Sequence, residues 1–93
     1  MPSVVATIKV QEDKIEEAKA FMKQLASDTL ASESGTQVYT PHQRQDDPTT
    51  FVFYEKYENA EAFAIHGKNL AAKGKEFGAL LAGPPEIVML EEL

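Results

Sequence analysis

The segment FVFYEKYENAEAFAIHG, Phe51–Gly67, contains the change of period on which the fold turns. Its first seven residues alternate as a strand does, with Phe51, Phe53 and Tyr57 on one side and Val52 and Tyr54 on the other. From Asn59 the period lengthens. Ala62, Phe63, His66 and Leu70 fall on one helix face, and Asn59 is a residue type that caps helix N-termini. Two polar residues interrupt this apolar pattern. Glu55 shares the strand side of Phe51, Phe53 and Tyr57, and His66 sits on the apolar face of the helix.

Working outward, VVATIKV (Val4–Val10) is rich in β-branched residues and reads as a strand. Val4, Ala6, Ile8 and Val10 face one way, Val5 and Thr7 the other. QED then breaks the run, and Asp13 is expected to cap the next helix with Glu16 in capping-box position. Ile15, Ala18, Met22, Leu25 and Thr29, widened by Phe21, predict an amphipathic helix from Lys14 to about Ala31, ended by SESG. TQVYTPHQRQ (Thr36–Gln45) suits a strand in which Pro41 requires an edge or a bulge, and DDPT marks a turn. Beyond His66, three glycines (Gly67, Gly74 and Gly78) predict a helix that bends or is interrupted. AGPP stops it, and EIVMLEE (Glu86–Glu92) is the last strand. The order β-α-β-β-α-β predicts an α+β, ferredoxin-like fold: one domain over residues 1–93, with four antiparallel strands and both helices on one face.

Two helices cover only one face of such a sheet, so strands of an isolated subunit should alternate apolar and polar. These strands are apolar on both sides: Ile87 and Met89 oppose Val88 and Leu90, as Val4 and Ala6 oppose Val5. A second copy packing sheet against sheet is the expected cover, because a bare apolar face of several hundred Å² is unusual on a monomer. A chain of this length buries only about 60–65% of its unfolded surface, which points the same way.

Composition narrows the chemistry. The net charge of −6 argues against a nucleic-acid partner. The absence of cysteine excludes thiol catalysis and thiolate-ligated metal. No closely spaced histidines, G-x-G-x-x-G or P-loop occur, so neither a metal nor a cofactor is expected. MPSVVATIKV lacks the basic and long apolar regions of a signal peptide, and no apolar run could span a membrane, so a cytoplasmic protein without a membrane partner is expected. If Glu55 and His66 converge beneath the helices, each would be a partner for the other, and the pair could accept a proton near neutral pH. The residues alone favour packing, since a lone histidine on an apolar face is more often structural.

The chain resembles the antibiotic biosynthesis monooxygenase family of small dimeric α+β barrels. The matching pieces are VVATIKV, then ESG (Glu33–Gly35) followed by VY, then DDPTTFVFYEKYENAEAFAIH, then LLAGPPEIVMLEEL. The most specific is E-x-Y-x-x-x-x-A-x-x-x-H, from Glu55 through Tyr57 and Ala62 to His66. The resemblance implies a homodimer with a pocket between sheet and helices in each subunit. It also implies a monooxygenase that oxidises a small aromatic or quinol-type substrate with O₂, without metal or flavin. His66 and Glu55 become the expected catalytic residues, and Tyr57, Asn69, Phe53 and Tyr39 the expected substrate contacts. Many relatives carry a second histidine and an aromatic residue shortly after the position of His66. Here GKNLAAKGKEF offers only Asn69 as a polar candidate. Tyr57 stands where many relatives have tryptophan, which counts against the haem-degrading branch. FYEKY is also similar to the branch that isomerises a phosphorylated autoinducer sugar. That reading, and a non-catalytic small-molecule binding module, stay open beside the monooxygenase at this point.

Overall fold

A computed structural model describes residues 1–93. The strands are β1 (Pro2–Lys9), β2 (Thr36–Gln43), β3 (Thr50–Tyr57) and β4 (Glu86–Glu91), and the helices are α1 (Ile15–Ser32), α2 (Ala60–Ala71) and α3 (Gly74–Gly78). They form one antiparallel sheet in the order β2-β3-β1-β4, with the first strand in its interior. This is the expected ferredoxin-like arrangement, with the second helix interrupted between Ala71 and Gly74. No helix is long and apolar enough to cross a membrane.

The periodicities reappear as burial. Ala18, Met22, Leu25 and Thr29 are the buried stripe of α1. Ala18, Met22 and Leu25 pack on Ala6, Ile8, Tyr39, Phe51 and Phe53 of the sheet, and Phe77 of α3 joins the same cluster. Pro41 lies on β2, an edge strand, where its missing N–H removes no ladder bond toward an outer neighbour. The irregularity of that strand lies elsewhere, between Thr36 and Val38.

One boundary differs. Asp13 does not cap α1: Glu12–Lys14 form a separate 3₁₀ turn, and Lys14 stands at the N-cap without a side-chain bond. The extra turn moves the helix start past the aspartate, so its acceptor no longer faces the free amides. Asn59 does cap α2, accepting from the Ala62 N–H at 2.8 Å.

The sheet face away from the helices is uncovered. Tyr54, Val88 and Leu90 are each more than a third exposed there. They share that side with Val5 and Val52, which are half-buried. The C-terminal segment closes on it where Lys56 Nζ meets Glu92 Oε1 at 2.7 Å. β4 is exposed on its other side too, through Ile87 and Met89, because no helix lies over it.

Candidate active site

Residue Glu33 follows α1 directly. Its backbone turns extended (φ −113°, ψ 95°) while its N–H still donates to Thr29 O, and its side chain is buried. A buried carboxylate must be matched by donors, and three meet it. Oε1 accepts from the Thr36 hydroxyl at 2.9 Å and from His66 Nδ1 at 3.0 Å, and Oε2 accepts from Asn69 Nδ2 at 3.2 Å. The carboxylate can only accept, so the proton of a neutral His66 is held on Nδ1, leaving the Nε2 lone pair free.

The loop reaches α2 because it carries Gly35. A Cβ at Gly35 would lie 2.6 Å from Ala62 Cβ, closer than real side chains approach. Glycine thus lets Glu33 and Thr36 sit one layer from the helix that carries His66. The Gly35 carbonyl also accepts from the Glu58 N–H at 2.8 Å, which pins the loop to the end of β3.

Glu55 does not bond His66. Its Oε1 accepts from the Tyr57 hydroxyl two residues along the strand at 2.6 Å. The expected convergence of Glu55 and His66 is nevertheless present, since both line one cavity of about 170 Å³ between sheet and helices. Aromatic residues Tyr39, Phe53, Phe63 and Phe77 wall the cavity, with Val4 and Ala6 at its floor. Tyr39 stacks near His66, with ring centroids 4.7 Å apart. Ser3 Oγ is the one fully buried side-chain nitrogen or oxygen without a partner. Nε2 of His66, Oε2 of Glu55 and the hydroxyl of Tyr39 have no hydrogen-bond partner within the protein, and the three residues share the lining of this cavity.

Burial pushes the Glu55 carboxyl above the usual carboxylate range; the Tyr57 hydrogen bond and the nearby His66 partly oppose this. Burial also raises the Tyr39 hydroxyl, helped by the charges of Glu55 and Glu33, and raises that of Tyr57, helped by its bond to Glu55. Both tyrosines thus stay protonated and able to donate.

Of the six expected site residues, His66, Glu55, Phe53 and Tyr39 line the cavity. Tyr57 and Asn69 do not. Tyr57 is fully buried and supports Glu55 from beside it; Asn69, three residues past His66, turns toward α1 and holds Glu33. In the structure each is hydrogen-bonded to a neighbouring carboxylate. Glu33 and Thr36 were not foreseen in this role. The only sequence signal for Glu33 was the ESG tripeptide, which nothing in the local spacing connects to His66.

The comparisons with known proteins agree with this architecture. The family model described as antibiotic biosynthesis monooxygenase matches residues 1–78. A solved structure of a provisionally named antibiotic biosynthesis monooxygenase from Caulobacter crescentus is 31% identical, with a TM-score of 0.91, covering 99% of this chain and 89% of that one. A protein of the same provisional name from Nitrosomonas europaea is 25% identical, again with a TM-score of 0.91, over 100% of this chain and 99% of its own. A conserved protein from Methanosarcina mazei, 21% identical with a TM-score of 0.88 over 99% and 92% of the two chains, shares the fold. No curated protein matches. The family model stops before β4, and the structural matches carry the likeness through it. On the match over residues 1–78 and the 31% identity across nearly its whole length, the chain belongs to the antibiotic biosynthesis monooxygenase family.

Proposed function

We propose that the protein is a cofactor-independent monooxygenase acting with O₂ on a small hydroxylated aromatic ring of the quinol type. The observation that carries this reading is the character of the cavity. It is walled by aromatic and aliphatic side chains, contains no lysine or arginine, and has His66, Glu55 and Tyr39 as its polar lining residues. A phosphorylated sugar would need a cation or a cluster of amides in such a site, so the isomerase reading loses support. A cavity of about 150 Å³ accepts benzene, so about 170 Å³ suits one ring.

In this reading His66 Nε2 takes the proton of a ring hydroxyl, and Glu33 balances the imidazolium that forms. The Tyr39 hydroxyl is the donor available to the ring oxyanion, and Glu55 accepts from a second ring hydroxyl. The deprotonated ring passes one electron to O₂, and the resulting radical pair combines to a ring hydroperoxide. Loss of water from that carbon leaves one oxygen on the ring and sends the other out in water. The sum is hydroquinone plus O₂ giving hydroxyquinone plus water, so the substrate supplies all the electrons. Excluding bulk water protects the anion and the peroxide. An oxygen electrode with a panel of hydroquinones and polyphenols, no cofactor added, tests this. Oxygen uptake matched by hydroxyquinone formation is expected, and no uptake above the protein-free rate across the panel would overturn it.

We further propose that the bare sheet face is the surface on which two copies meet. Its support is the run of Val5, Val52, Tyr54, Val88 and Leu90, which no helix of the subunit covers.

A further inference from the structure

A second, shallower apolar groove of about 330 Å³ adjoins the cavity, and the two share Gly67, Leu70, Phe77 and Pro85 as common walls. The groove runs over the break between α2 and α3, past Ala71, Gly74, Gly78 and Leu81. No charged or hydrogen-bonding side chain lines it. Its relief comes from three glycines. A Cβ at Gly67, Gly74 or Gly78 would meet nothing within 4 Å, and none of the three has positive φ. Backbone strain therefore does not require glycine at these positions. What glycine provides there is open space beside an apolar floor.

We infer that this groove is the binding site for an aliphatic chain carried by the substrate, so that the ligand is an alkyl-substituted hydroxyaromatic rather than a bare ring. The inference rests on the reading of the cavity as the seat of a hydroxylated ring. The two compartments differ in the way such a molecule does. The inner one carries most of the rings and the polar residues Tyr39, Glu55 and His66; the outer one is walled by leucine, alanine, proline and glycine, with Phe77 at the junction. The inner volume suits one ring, and the shared wall offers a larger ligand a continuous apolar path into the groove. The groove lies on the helix side of the sheet, opposite the face assigned to the second copy, so dimer formation leaves it open. A fused second ring would find only Phe77 to stack on, whereas a flexible chain can follow a shallow aliphatic surface.

Binding of 3- and 4-alkylphenols, from phenol to hexylphenol, measured by titration calorimetry tests the groove without requiring turnover. The dissociation constant is expected to fall by about fourfold for each methylene fully buried in the groove, from the transfer free energy of a buried methylene, and to level off where the groove ends. Gly74→Leu and Gly78→Leu fill it, and each should bring the ratio of phenol to hexylphenol dissociation constants back toward one. Because the ratio is taken within one variant, a general loss of affinity does not imitate the effect. A flat series in the wild type overturns the inference, as does a series whose slope survives both substitutions. Tighter binding of naphthols than of butylphenol would overturn it in favour of a polycyclic ligand. Oxygen uptake with the matching alkylhydroquinones reads the proposed reaction separately. Chain-length-dependent binding without uptake keeps the groove and rejects the oxygenase; uptake with a flat binding series does the reverse.

Discussion

Glu33 holds one nitrogen of His66 and leaves the other without a protein partner, so the two residues should act as a unit. His66→Ala is expected to lower kcat by roughly 10²-fold or more, the scale of losing a general base. Glu33→Gln should approach that loss, because an amide that donates to Nδ1 drives the proton onto Nε2, the wrong tautomer for a base. The double variant should be no slower than His66→Ala alone, since removal of either partner already breaks the unit; steady-state kinetics on one oxidised hydroquinone checks this. Glu55 makes a different prediction. Its folded carboxyl titrates above its unfolded value because it is buried. A group raised in this way favours the fold at low pH, and that contribution is lost as pH rises through its folded pKa. Glu55→Gln removes the dependence. The melting temperature of the variant relative to wild type should therefore rise as pH moves from about 4 upward. A difference that stays constant with pH would mean that Glu55 carries no burial cost.

At the scale of elements, the closest fit is between the loop after α1 and the start of α2. Gly35→Ala should force the loop off Ala62 and lengthen the Glu33–His66 contact. Loss of both stability and turnover is expected, and Ala62→Gly added to it should recover part of each. Gly35→Ala melting like wild type would show that the 2.6 Å approach is not a real constraint. The same region marks how far the sequence could be read. Alternation in Phe51–Tyr57 and the α1 stripe are local patterns, and each reports which side of its own element is buried. They placed Glu55 on the helix-covered face and His66 on the face of α2 that meets the sheet. The partner of His66 was beyond reach, because Glu33 lies 33 residues earlier and meets it only through tertiary packing. The partners of Asn69 and Tyr57 were out of reach for a related reason: composition identifies a polar group in a core, but not which side chain it meets. Asp13 shows the same limit at a boundary, where an added 3₁₀ turn displaced a cap that the tetrapeptide pattern supported.

At the scale of the molecule, light scattering at micromolar concentration should give a mass near twice 10.3 kDa. Val88→Lys or Tyr54→Glu should shift the particle toward the monomer, since either buries an unpaired charge where the two sheets meet. A wild-type monomer would remove the proposed role of the open face. The order of the sheet has a further consequence, for how the protein comes into being. β1 is made first yet stands inside the sheet, with Val4 between Glu55 of β3 and Met89 of β4. During synthesis this β-branched strand waits without a partner until more than half the chain has emerged, and its second edge stays open until the last strand arrives. Such long-range pairings are slow to close, and an unpaired apolar edge can join the wrong neighbour. A ribosome-stalled chain ending before Glu86 should therefore bind holdase chaperones and resist compaction. Release of β4 from the exit tunnel, rather than completion of either helix, should be the event that frees it.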